Sequence, residues 1–241
     1  MMEVTHPAIT QLESVVQDVP GWSPIDQLYS LYLLTLSAAH VEGDVMEIGS
    51  WCGRSAVTLG LAAQQSGVSA VHCVDLFPER DHWYTNEDGT HSFKLNLGAR
   101  TYASYVDQRV WDEPFQRDIA PLYAKDNGIL DIFNRVIVQK GVAGVVRPFR
   151  GDAEDFFAGE GAQRSFRLAF LDGDHGYEAL SRDIQLTTDH LAPGGWLCLD
   201  DAFSSYEGVD QAIRDHVLAS PRFDVKQQLT RKCFAARLKR T

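Results

Sequence analysis

Asp44-Val45-Met46-Glu47-Ile48-Gly49-Ser50-Trp51-Cys52-Gly53-Arg54-Ser55 is the stretch from which the fold of this chain is read. An apolar run carries an acid, glycines follow at 49 and 53, and helix formers begin at Ala56. Such an order spells a strand, a tight turn and a helix start. Gly49 and Gly53 open backbone angles closed to other residues and let a ligand approach the main chain. The first amides of the helix would point at that ligand. A dinucleotide fingerprint counted from Gly49 needs glycine at 51, where this sequence has tryptophan, so a pyrophosphate is not expected there. Glu47, just ahead of the turn, suits an amine-bearing ligand better than a phosphate.

Val71-His72-Cys73-Val74-Asp75 reads as the next strand, again ending in an acid. A carboxylate at Asp75 could accept two hydroxyl hydrogen bonds at once, or could start a turn. Together the two stretches resemble the opening motifs of class I S-adenosylmethionine-dependent methyltransferases, which carry Glu/Asp-x-Gly-x-x-x-Gly. The resemblance implies that the loop bearing Glu47, Gly49, Ser50, Gly53 and Ser55 holds the amino acid end of that cofactor. It also implies that Asp75 binds the ribose hydroxyls.

At 241 residues the chain suits one α/β domain with an elaborated insert, and two full domains would be cramped. The formal charge of −11 argues against nucleic acid as the main partner, since phosphate backbones are bound by clustered cations. The one basic run, Arg231-Lys232 to Arg237-Leu238-Lys239-Arg240, reads as the solvated side of a last strand. Four cysteines, at 52, 73, 198 and 233, have neither disulfide nor zinc spacing. No apolar run approaches the ~20 residues that cross a bilayer, and residues 1–20 do not read as a signal peptide. A cytoplasmic protein without a membrane partner is the expectation.

Leu12, Val15, Val16 and Val19 give residues 7–18 a helical period. Ser23 as cap and Pro24 at the first helical position then open a second helix over 25–39, apolar nearly all round. Such a helix is expected to be buried against the sheet edge or in a homodimer. Residues 1–42 thus form an N-terminal helical segment. From residue 43 onward strands and helices alternate, the signature of a doubly wound, mostly parallel sheet. Helices are expected at 55–65, 127–139, 181–190 and 206–218. Further strands are expected at 145–149, 167–171, 196–199, 223–229 and 232–238, making seven in all, the last antiparallel.

Between strand two and the helix at 127 the pattern is interrupted. Residues 77–133 hold ten of the 25 aromatic side chains in under a quarter of the length. A loop of this size without secondary structure is unusual unless functional. The insert, 77–126, should stand near the carboxyl ends of the strands, where open α/β sheets bind ligands. It reads as a lid that selects the substrate, or as a satellite core or dimer arm.

Strand three opens into Arg150-Gly151-Asp152-Ala153, strand four into Asp172-Gly173-Asp174-His175-Gly176-Tyr177-Glu178, and strand five into Asp200-Asp201. By the resemblance, Asp152 and Ala153 flank the adenine ring; Asp152 could also cap the following helix. Parallel neighbours end on one edge, so Asp172, Asp174, Asp200 and Asp201 should converge. Carboxylates that close repel one another unless a cation or shared protons intervene, and Mg²⁺ is a natural neutraliser. Asp-Gly-Asp at one strand end and Asp-Asp at the next are similar to the metal-dependent O-methyltransferases of antibiotic sugar tailoring. That resemblance makes Asp172, Asp200 and Asp201 the metal ligands and Asp174 the base. Asp-Gly-Asp-His followed by Tyr-Glu also looks like other bacterial class I methyltransferases, which makes His175 a competing base.

The expected function is methyl transfer from S-adenosylmethionine to a hydroxyl of a small molecule, a sugar or natural product, with Mg²⁺ assistance. Alternatives are metal-free methylation of nitrogen or a carboxylate, an NAD(P)-dependent oxidoreductase, and a non-catalytic nucleoside-binding subunit.

Overall fold

The computed structural model describes residues 7–68, 70–103, 109–126 and 128–240. Two helices, α1 (Pro7–Val16) and α2 (Ile25–Ser37), precede β1 (Asp44–Ile48), α3 (Arg54–Ser66) and β2 (Val71–Asp75). The insert then forms β3 (Trp83–Thr85), β4 (His91–Leu97), β5 (Arg100–Ala103) and α4 (Asp112–Pro114), which runs on through tighter and wider turns to Ala124. Its residues 104–108 lie outside the described residues, as does Asn127, the expected start of the next helix. The alternating pattern resumes with α5 (Ile129–Gln139), β6 (Val146–Arg150), α6 (Ala153–Ala158), β7 (Phe166–Leu171), α7 (Tyr177–His190) and β8 (Leu191–Leu199). It closes with α8 (Glu207–Ile213), β9 (Phe223–Gln228) and β10 (Phe234–Leu238).

The main sheet runs β6-β2-β1-β7-β8-β10-β9. Its first five strands are parallel, and β10 is antiparallel to both neighbours. Side chains alternate across it and build two cores. Val45, Val71, Leu168 and Phe170 face α1, α2, α3 and α5, whereas Met46, Ile48, Ala169 and Leu171 face α6, α7 and α8. The helix over 25–37 buries Gln27, Leu28, Leu31 and Thr35. Ser23 does not cap it: Pro24 holds the cap position without a side-chain bond, and the Ser23 carbonyl instead accepts from Arg54 Nε at 3.0 Å.

The insert is a three-stranded antiparallel sheet, β3-β4-β5, with a following segment, and the two pack Trp83, Phe115 and Tyr123 into the core that also holds α3 and α5. Trp83 lies edge-on to Phe93 and tilts against Phe115, with centroids 5.3 Å away in both cases, and donates from Nε1 to Tyr123 Oη at 2.8 Å. Arg100 reaches the first turn of α6, with Nη2 2.8 Å from Glu154 and 3.4 Å from Asp152 and Nη1 bonded to Asp155. Tyr102 donates to the same Asp155. The hairpin is therefore fastened to the loop after β6.

Candidate active site

Hydrogen bonds continue past the strands in one row, and that row builds the site. Gly151 N donates to Asp75 O (3.0 Å), Gly49 N to Val74 O (2.8 Å), Asp172 N to Ile48 O (2.8 Å) and Asp200 N to Leu171 O (3.0 Å). The carboxyl ends of β6, β2, β1, β7 and β8 thus stand side by side. Over them opens a cavity of about 1250 Å³. Its volume exceeds the several hundred cubic ångströms of a single small-ligand site and suits two reactants.

Most residues singled out in the sequence meet on this wall: Gly49, Ser50, Ser55, Asp75, Asp152, Ala153, Asp172, Asp174, His175, Asp200 and Asp201 all line the cavity. Glu47 and Gly53 are not on it. Glu47 alternates with Met46 and Ile48, so its side chain enters the apolar layer beneath α3, with Cys73 and Phe170 as its sheet neighbours. It is fully buried, and neither oxygen has a hydrogen-bond partner among the described residues. Burial raises its pKa to about 7. Ser50 and Ser55 of this turn thus face the cavity, while Glu47, expected there from the sequence, lies beneath it.

The two glycines take the left-handed angles expected of them, and packing adds a second requirement. Gly49 takes φ 86° and Gly53 φ 92°. A Cβ at 49 would lie 2.0 Å from the Asp172 carbonyl oxygen, and one at 53 would lie 3.1 Å from the Phe133 ring. Close contact with the end of β7 at Gly49 and with α5 at Gly53 therefore requires glycine at both positions. The left-handed non-glycine residues among those described, Trp51, Phe77, Asp201 and Phe203, all sit in the loops at this sheet edge. Strained backbone of this kind, costing about 1–3 kcal/mol per residue, gathers at functional sites.

Asp75 does two jobs. Its Oδ2 accepts Trp51 N at 2.9 Å and its Oδ1 accepts Phe77 N at 2.6 Å, and a carboxylate oxygen retains a second lone pair for a ligand hydroxyl. Burial raises its pKa, while these amides oppose the rise. Asp152 likewise caps α6, accepting Asp155 N at 2.8 Å, while standing at the cavity.

At the other end of the cavity the acids interlock. Asp172 is pushed well above the carboxylate range by burial and by the charge of Asp200, with which it shares a hydrogen bond. Burial acts on Asp200 in the same sense, but the Asp172 carboxyl, Lys232 and Gln27 outweigh it and hold Asp200 low. Lys232 Nζ stands 3.3 Å from Asp200 Oδ2 and 3.2 Å from Asp201 Oδ1. The sequence reading placed Lys232 on a solvated strand face. Because β10 inserts beside β8, the loop entering β10 drops onto the acidic floor instead. Gln27 Nε2 donates to Asp200 Oδ1 from a helix read as wholly apolar.

His175 stacks on Tyr206 with centroids 4.4 Å apart, and its Nε2 lies 3.7 Å from Asp201 Oδ2. Burial lowers its pKa despite the nearby carboxylates. Asp174 Oδ1 accepts Gly176 N at 2.6 Å, which fixes the carboxylate in a tight turn on the cavity wall.

Asp172, His175 and Asp200 each offer a ligand atom within 4.8 Å of the others. Two carboxylates and an imidazole fit a divalent cation. Asp201, the third ligand expected from the sequence, is not in that group; its carboxylate lies 3.2 Å from Lys232 Nζ and 3.7 Å from His175 Nε2.

Aromatic side chains close the mouth. Trp22 stacks obliquely on Trp51 at 5.7 Å, and Trp111, 70% exposed, contributes from the insert. None of the helices among the described residues is long and apolar enough to cross a membrane.

A methyltransferase domain family model matches residues 46–202, from β1 to just beyond β8. Among solved structures, the O-methyltransferase NovP is similar at 15% identity and a TM-score of 0.62, over 90% of this chain and 81% of that one. An O-methyltransferase from Bacillus cereus in complex with SAH aligns at 17% identity and a TM-score of 0.56, over 99% and 94%. The calicheamicin methyltransferase CalS11 aligns at 16% identity and 0.56, over 97% and 93%. At such identities the likeness to these structures is one of fold.

Proposed function

The chain belongs to the methyltransferase family whose model spans residues 46–202, and we propose that it moves the methyl group of S-adenosylmethionine to a hydroxyl of a small molecule. The observation that carries this reading is the single cavity in which a nucleoside-sized wall, from Ser50 past Asp75 to Asp152 and Ala153, meets an acidic floor. S-Adenosylmethionine supplies a methyl carbon already made electrophilic by its sulfonium. What remains for the protein is to align the nucleophile with that carbon and remove its proton.

Ser50 and Ser55 would face the amino acid end of the cofactor, Asp75 the ribose hydroxyls, and Asp152 with Ala153 the adenine. Trp22, Trp51 and Trp111 line the approach. On the floor, Asp172, Asp200 and His175 would hold Mg²⁺. A bound Mg²⁺ supplies a Lewis acid that orients an acceptor hydroxyl and lowers its pKa. With His175 among the ligands, Asp174 is the group to take the proton, held in place by the Gly176 amide. An acceptor with adjacent hydroxyls, such as a sugar, suits this arrangement.

Two measurements test the proposal. Titration calorimetry with S-adenosylhomocysteine is expected to give a micromolar-range complex; no binding would overturn it. Incubation with methyl-labelled cofactor and a panel of polyols, phenols, amines and carboxylic acids is expected to give O-methyl products.

A further inference from the structure

The acid cluster already contains a cation, and its position bears on how a metal could enter. Asp200 has no idle oxygen: Oδ1 accepts from Gln27 Nε2, and Oδ2 lies 3.3 Å from Lys232 Nζ. The Lys232 side chain is largely buried, and its ammonium spans Asp200 and Asp201, whose side chains are also nearly closed to solvent. Buried carboxylates hold together only when their charge is matched. Here the Lys232 ammonium does the matching. A metal ligand atom must come within about 2.1 Å of Mg²⁺, far closer than any ammonium contact, and an ammonium and a divalent ion on one carboxylate oxygen repel.

The geometry assigns Lys232 the role of resident counter-cation of the Asp200–Asp201 pair, so that a divalent ion can join Asp172, His175 and Asp200 only by displacing Lys232 from Asp200. Asp201 then keeps the ammonium, 3.2 Å away, so the displaced charge stays paired. Lys232 is a positioning residue in this scheme: it preserves the acid cluster before loading and weakens the affinity for the ion. The inference rests on the reading of that trio as a cation site, and its test does not depend on turnover.

Wild type, Lys232→Gln and Lys232→Arg are titrated with Mg²⁺ alone by calorimetry, and their melting temperatures are measured with and without it. Lys232→Gln is expected to bind Mg²⁺ at least tenfold more tightly than wild type, to melt lower without the ion and to regain the difference with it. Lys232→Arg, which keeps the charge, is expected to bind as weakly as wild type. Lys232→Met serves as a second neutral variant if Lys232→Gln does not fold. Equal affinity in wild type and the neutral variants, weaker binding in the neutral variants, or no binding in either would overturn the inference. S-Adenosylhomocysteine binding, measured on the same samples, reports separately on the methyltransferase reading.

Discussion

The α-carbon of Gly49 faces the carbonyl oxygen of Asp172 so closely that an added methyl group would stand 2.0 Å from it. This contact lets β1 and β7 end in register and sets the turn beside the acidic floor. Gly49→Ala must therefore both distort a φ of 86° and separate two backbones. Left-handed strain and overpacking together suggest a loss of about 3 kcal/mol. Chemical denaturation of the variant checks this, and a loss below about 1 kcal/mol would show that the strand ends yield easily.

Glu47 gives the fold a pH dependence. Folded, its pKa lies at about 7, raised first by burial; unfolded, it returns to the usual 4.5. The folded state thus binds more protons between those values. Its contribution to stability is full below the unfolded pKa and is lost as pH rises through the folded one. The change is about 3 kcal/mol as an order of magnitude. Glu47→Gln removes it, so the variant should gain on wild type between pH 5 and pH 8. Denaturation midpoints of both proteins at those two pH values measure the effect, and parallel behaviour would rule it out.

Arg100 and Tyr102 fasten the insert to the helix that Asp152 caps. The ion pairs are half exposed, so each contributes on the order of 1 kcal/mol or less to stability. Their effect should appear locally. Arg100→Ala combined with Tyr102→Phe is expected to leave the melting temperature within a few degrees of wild type. It should also weaken S-adenosylhomocysteine binding several-fold and speed proteolytic cleavage within residues 83–103. Unchanged cleavage and affinity would mean that the hairpin is held by its aromatic packing alone.

Much of this site was legible because parallel strands carry their chemistry at their ends. Asp75, Asp172 and Asp200 each close an apolar run, Asp152 follows a strand by two residues, and the alternation of elements is enough to bring those ends to one edge. Side-chain direction was less legible: Glu47 sits in the same motif as Ser50, yet the period of two turns it into the core. Lys232 escaped because nothing local distinguishes it from Arg231 or Lys239. Only the sheet order, with β10 beside β8, brings it to Asp200 and Asp201. A lysine in the turn before an inserted last strand, facing an Asp-Asp end, is the signal that could have found it. The insert was legible as aromatic and turn-rich, with Asn86-Glu87-Asp88-Gly89 now seen to join β3 to β4, but the pairing of its strands depends on contacts that no short period announces.

Asp174 can be tested as the base with little disturbance to its surroundings. Its Oδ1 accepts the Gly176 amide at 2.6 Å, and the amide oxygen of asparagine can accept the same bond. Asp174→Asn should therefore keep the turn, and with it the placement of His175 and Tyr177, while losing the ability to take a proton. A general base typically contributes about 10²–10⁴-fold to rate. With an acceptor found in the panel, turnover of Asp174→Asn should fall by that range while its S-adenosylhomocysteine affinity stays within about twofold of wild type. Turnover near that of wild type would remove Asp174 from the chemistry. His175→Ala, tested alongside, should weaken Mg²⁺ binding in calorimetry, whereas Asp174→Asn should not. If Asp174→Asn weakened Mg²⁺ binding and His175→Ala left it unchanged, the assignment of base and ligand would have to be exchanged.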